Sequence, residues 1–229
     1  HQKENKMDID LQGVLIFFHV LLFGYWLGSD LGVFYCDSQL TREDLSLEER
    51  LRVRDIRKNI DMAPRTCAPL ILPIGFTLAL QHGSQIDGVW LVVVWVLSLL
   101  WLLTLWVERL SVGTPREAGL NKANRKVWFL MAFAMTALGV YALVTGNLVS
   151  ETWLAAKIAL YGLMVLSATW ILRAADHWEP IFEMVRAGGA EKIEGEKRMK
   201  RNRINAGSAA GTLWVVVLLI AFLGATKPF

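Results

Sequence analysis

The sequence predicts an all-α integral membrane protein: a six-transmembrane-helix bundle with both termini on the non-cytoplasmic side. Three observations carry that expectation. Of the 229 residues, 54% are hydrophobic and the mean hydropathy is +0.39, more apolar material than a soluble domain of this length carries. Six apolar runs each approach the roughly 20 residues that cross about 30 Å of hydrocarbon. Every Lys and Arg other than Lys3, Lys6, Lys157 and Lys227 falls in, or at the edge of, the connections that follow the first, third and fifth runs. Such asymmetry places the basic connections in the cytoplasm and the short ones outside.

Taken in order, the spans are expected at about 11–35, 62–81, 89–107, 127–145, 152–172 and 207–225. The first run lacks a basic leader and is too long for a signal-peptide core, so it reads as a retained span. Two longer cytoplasmic connections, 36–61 and 173–206, have helical character. In the first, Ser46 and Glu49 form a capping-box pattern. Leu47, Leu51, Ile56 and Ile60 then punctuate a charged stretch, as in an interfacial helix, an extension of span two, or a solvated charged face. Pro64, Pro69 and Pro73 are expected to kink or break the start of span two.

One domain over 7–229 accounts for the chain, and residues 1–6, which precede Met7, read as a tag scar. The net charge of +3 is modest and gives no basis for a nucleic-acid partner. Cys36 and Cys67 are both placed towards the cytoplasm, where thiols stay reduced, so no disulfide is expected. The partners this composition implies are the lipid bilayer, a hydrophobic small molecule, and a homo-oligomer or membrane-complex neighbour.

Ionisable groups are expensive in hydrocarbon, which makes each one inside a span a candidate site. His19 lies in span one among Phe17, Phe18, Val20 and Leu21. An imidazole there can ligate a metal or haem iron, relay a proton, or hydrogen-bond a neighbouring helix. His19, Phe23, Trp26 and Asp30 recur at helical spacing and share one face, which should point into the bundle. Asp30 needs a cation, with Arg65 and Arg173 at its level, or a role in proton transfer. Lys157 in span five lies at a depth similar to His19, either snorkelling outwards or sharing a polar site with it. Tyr161 and Met164 continue the Lys157 face, as core packing or as site groups. His82 ends span two; it is an exposed loop histidine, or pairs with His19 as a bis-imidazole metal site.

The stretch FFHVLLFGYWLGSDLGVFYC, residues 17–36, resembles the first helix of the membrane superfamily that includes HemJ-type protoporphyrinogen oxidases and CopD-type copper-resistance proteins, with His19, Trp26 and Gly28 at matching places. MAPRTCAPLILPIGFTLAL, residues 62–80, is similar to that family's second helix, and TWLAAKIALYGLMV, residues 152–165, to its Lys-bearing helix with Lys157 matched. Two spans intervene here between those helices, where HemJ-type proteins have a shorter connection. The resemblance implies haem b in a helical bundle, with His19 as axial ligand and Lys157 close by.

The function expected on these grounds is a haem-binding integral membrane protein, in a bacterial inner membrane, that carries out or supports redox chemistry on a porphyrin-like or quinone-like substrate. In that reading His19 and His82 are the metal ligands, Trp26 and Tyr161 line the cofactor, and Lys157 and Asp30 serve the reaction. Two other classes fit the same residues: a non-catalytic subunit of a larger membrane complex, and a transporter for a metal ion or small solute.

Overall fold

A computed structural model describes residues 10–228; the expected tag scar at 1–6 lies outside them. Eight α-helices follow one another: α1 (Leu11–Leu40), α2 (Leu47–Ile60), α3 (Met62–Ala79), α4 (Gly88–Leu110), α5 (Glu117–Thr145), α6 (Thr152–Asp176), α7 (Trp178–Ala187) and α8 (Gly189–Thr226). Six helical stretches are long and apolar enough to cross a membrane, and the protein is an integral membrane protein. Large apolar side chains such as Leu97, Leu100 and Leu103 on α4 and Val215, Leu218 and Phe222 on α8 face outwards, where lipid rather than water is their solvent.

Local chemistry sets the helix ends. Asp10 caps α1, its carboxylate accepting from the backbone N–H groups of Gln12 and Gly13 at 3.0 and 3.1 Å. The Ser46–Glu49 capping box closes at the start of α2, and α2 passes into α3 through the helical residue Asp61. It is therefore an extension of span two. The helix also runs through Pro69 and Pro73 without breaking. Pro69 and Pro73 leave the carbonyls of Arg65 and Pro69, one turn earlier, without their usual donors, and polar side chains brace the turn that follows. The Thr77 hydroxyl donates to the Pro73 carbonyl at 2.8 Å and the Trp95 indole donates to Thr77 Oγ1 at 3.1 Å.

The segment 173–206 is not a separate loop structure. It holds the end of α6, the short α7 and the first half of α8, which continues unbroken into the sixth span. The charged stretch of α8 has no apolar run, and so reads as a connection although its backbone is one helix. α2, α7 and this half of α8 enclose a second small core of Leu40, Trp178, Ile181, Phe182, Val185 and Met199. Arg50 crosses it, donating to both Glu196 carboxylate oxygens at 2.6 and 2.9 Å and to the Leu40 carbonyl at 2.7 Å.

The main core is centred on α6. α5 and α6 meet almost backbone to backbone: a Cβ on Gly139 would fall 2.5 Å from Ala159 Cα, and one on Gly162 would fall 2.7 Å from the Ala132 carbonyl oxygen. Small residues at a crossing let dispersion act between whole helices, the usual basis of association in lipid. The two short connections also touch, through Gln85 N–H on the Leu148 carbonyl at 2.8 Å. They define one end of the bundle, opposite the end that carries the basic connections. Cys36 and Cys67 are buried within α1 and α3, each a free thiol.

Candidate functional site

The buried stripe of α1 is Trp26, Asp30, Val33, Asp37 and Leu40, spaced as one helix face. Phe23 packs on the core and His19 is half-buried on the same line. The helix thus turns the whole His19–Phe23–Trp26–Asp30 row towards its neighbours, and the residues separate by depth.

Near the short-loop end, His19 lies against α3. A Cβ added to Gly75 would fall 3.2 Å from His19 Cε1 and 3.9 Å from Nδ1, so the imidazole uses space that only glycine leaves. The Ile71 carbonyl is close enough to act on the ring, yet Nδ1 is buried with no hydrogen bond of proper geometry. From the other side comes Lys157 on α6, whose ammonium rests over Gly224 of α8; a Cβ there would lie 2.6 Å from Nζ. Lys157 is the sixth residue of α6, towards the short-loop end. No carboxylate among the described residues neutralises it. An imidazole with a spare nitrogen and an uncompensated ammonium can together hold a ligand that is Lewis-acidic at one point and anionic at another.

His82 is not part of this arrangement. It sits seven residues beyond Gly75, about 10 Å along the helix axis, where Lys227 Nζ lies 3.3 Å from its Nε2 and the Trp153 ring meets it edge-on at 5.2 Å. The structure does not bring the two histidines together. Trp26 is a core residue at 4% exposure. Tyr161 is equally enclosed, its hydroxyl donating to the Ala68 carbonyl at 2.8 Å, which ties α6 to the proline-rich stretch of α3.

Asp30 stands about 16 Å deeper than His19 along α1. Its partner is not an arginine: the Trp214 indole N–H of α8 donates to Oδ2 at 2.8 Å. Arg65 pairs with Asp61, and Arg173 stacks over the Phe129 ring at 4.9 Å. Asp37 pairs with Arg57 in the next layer outwards.

A feature that sequence reading missed lies at the basic end. There α2 to α7 enclose a cavity of about 440 Å3 with a floor of Trp128, Leu105 and Leu172 and walls of charged side chains. Trp101 meets Trp128 edge-on at 4.9 Å beneath it. Neither this cavity nor the shallow apolar groove along Phe17, Leu21, Gly24 and Gly28 of α1 includes His19. The run of Arg and Lys in 36–61 and the Asn121–Asn124–Arg125 face of α5 were the available signals, and they are shared with any positive-inside connection. No family model, curated protein or solved structure matches this chain.

Proposed function

We propose that this protein binds haem b within the membrane and carries out or supports redox chemistry on a hydrophobic, porphyrin-like or quinone-like substrate. The proposal keeps the resemblance to the HemJ-type and CopD-type superfamily, and places the chain in a bacterial inner membrane with its basic connections cytoplasmic and both termini outside. One observation carries it: the His19 imidazole, unpartnered at Nδ1 inside a span.

The residues fit a haem iron on one face. His19 supplies a nitrogen and Gly75 the clearance for its ring, while Lys157 supplies a cation for a propionate or a substrate carboxylate. His82 is engaged by Lys227 and Trp153 and is not among the residues that would hold the haem. When bound, haem would supply one-electron chemistry. The chain's own part is to orient the imidazole against α3, to hold the anionic group of the ligand at Lys157, and to exclude water. His19 is half-buried, so the site is open towards hydrocarbon, the side from which such a ligand arrives.

The test is the oxidised and dithionite-reduced absorption spectrum of protein purified in detergent after expression with excess haem, alongside His19→Ala and Lys157→Ala. The expected result is a Soret band with sharp reduced α and β bands, lost in His19→Ala and shifted or weakened in Lys157→Ala. A folded, colourless wild type overturns the proposal. A second reading, a non-catalytic subunit of a larger membrane complex, is favoured by α1, where added Cβ atoms on Gly24 and Gly28 would meet nothing within 4 Å. A partner retained on mild solubilisation, with no haem, would decide for it.

A further inference from the structure

We propose that the α6–α8 seam, at its end near the short connections, holds the phosphate group of an anionic phospholipid between Lys157 and Lys227. The inference goes beyond the haem proposal: the two share Lys157, but this site needs neither His19 nor iron. The first argument is where the cations are. Outside the basic connections, Lys157 and Lys227 are the only Lys or Arg among the described residues, and both stand at one pair of helices. The Lys157 side chain reaches from α6 over Gly224 of α8. Lys227, three residues past Gly224, reaches back to α6, its ammonium 5.7 Å from the centre of the Trp153 ring. Trp153 precedes Lys157 by one helical turn, about 6 Å, so the seam carries two ammonium groups at neighbouring levels.

The second argument is the lack of a counter-charge. None of Lys157, Lys227 and His82 forms an ion pair among the described residues. Of the carboxylates at this end, Asp10 caps α1 and Glu151 accepts the Trp153 indole N–H at 3.2 Å. Lys227 has the His82 ring nitrogen 3.3 Å away, which leaves its other donors for a ligand. An anionic oxygen group placed between two ammonium groups relieves their repulsion through charge-assisted hydrogen bonds.

The third argument is access. Lys227 is exposed and Lys157 half-buried, and the Lys157 ammonium, unlike His19 Nδ1, is not sealed from outside. Gly224 provides the notch in which it lies, because a Cβ there would fall 2.6 Å from Nζ. Trp153 and His82 meet edge-on beside the seam at 5.2 Å, and the exposed Phe222, Leu219 and Leu218 of α8 lead away into hydrocarbon. Lysine and tryptophan at the edge of an apolar surface stand at headgroup level, so the phosphate brings acyl chains with it.

The experiment is native mass spectrometry of the detergent-purified full chain titrated with phosphatidylglycerol, with phosphatidylcholine as the zwitterionic control. The expected result is one phosphatidylglycerol bound more tightly than the rest, weakened about tenfold in Lys157→Gln and in Lys227→Gln. Gly224→Ala, which changes no charge but displaces the Lys157 ammonium, should weaken it too. Arg109→Gln, which removes a cation at the basic end, and His19→Ala, which abolishes the expected haem spectrum, should both leave it unchanged, so the two proposals fail separately. Lys227 is exposed, so its variant tests the site even where Lys157→Gln does not fold. Equal losses in Lys227→Gln and Arg109→Gln mean general attraction of anionic lipid to a cationic protein, and overturn the site. Equal affinity for phosphatidylcholine overturns it as well. Inorganic phosphate that displaces the lipid at equal concentration overturns the lipid assignment in favour of a free anion.

Discussion

Gly162→Ala is the substitution whose cost can be worked most directly from the structure. The added Cβ would fall 2.7 Å from the Ala132 carbonyl oxygen, and nearer still to the backbone nitrogen and hydroxyl of Thr136. Ordinary contact begins at 3.4 Å, so α5 and α6 must part by more than about 0.7 Å to accept one methyl group. Backbone atoms cannot swing aside as a flexible side chain can. Overpacking of this kind costs roughly 1–3 kcal/mol. In a helix free of neighbours the same change gains about 0.5–1 kcal/mol from helix propensity. Gly211 on α8, where an added Cβ meets nothing within 4 Å, supplies that control. Both substitutions gain the propensity term, so the two variants should differ by the overpacking cost, about 1–3 kcal/mol, on the order of a tenfold difference in the unfolding equilibrium. Titration with denaturing detergent, followed by far-ultraviolet circular dichroism, measures it. Gly139→Ala should behave like Gly162→Ala. If Gly162→Ala proves as stable as Gly211→Ala, the helices do not meet backbone to backbone.

Two further outcomes follow from the second core. Arg50→Met strands Glu196 in an enclosed place, where its side chain is only 10% exposed, and should cost about 3–5 kcal/mol. The double variant Arg50→Met/Glu196→Leu should recover most of that in thermal unfolding, and equal losses in single and double variants would refute it. At the exposed rim, the Lys200 ammonium 2.6 Å away holds the Glu43 carboxyl below its usual range. A depressed folded value means that the pair stabilises above the ordinary glutamate range and loses its effect as pH falls through the lowered value. Lys200→Gln should return Glu43 to the ordinary range in a carbon-13 titration of its side-chain carboxyl, and an unmoved titration would count against the pair.

The parts of this protein that sequence makes legible are those with one-dimensional causes. Span length and loop charge are properties of consecutive residues, and six helices capable of crossing a membrane appear close to where they were expected. The α1 row is similar: helical periodicity alone puts His19, Phe23, Trp26 and Asp30 on one face, and two of them are fully buried. What was not legible depends on how faces meet. Asp30 drew a tryptophan from α8 rather than an arginine, because Arg65 is already engaged by Asp61 one turn away. His82 was in reach of His19 by topology, and depth along α3 separates them. The cavity at the basic end takes its walls from six helices, so no contiguous motif could announce it.

α6 runs from Lys157 to the basic-end cavity. Its half nearer the short connections carries Lys157 and Tyr161, and its other end contributes Leu172, Ala175 and Asp176 to the basic-end cavity. A rigid helix displaced at Gly162 moves both, because the Tyr161 hydroxyl bond to Ala68 and the Asp176–Arg125 pair are fixed to elements that do not move with it. Arg50→Met disturbs α2 and α8 in the second core and leaves the Gly75–His19 contact untouched. If the proposed haem site is real, Gly162→Ala should therefore shift its absorption spectrum, whereas Arg50→Met should leave it unchanged. A haem-loaded Gly162→Ala protein with an unshifted spectrum would show that the α5–α6 contact does not position that site.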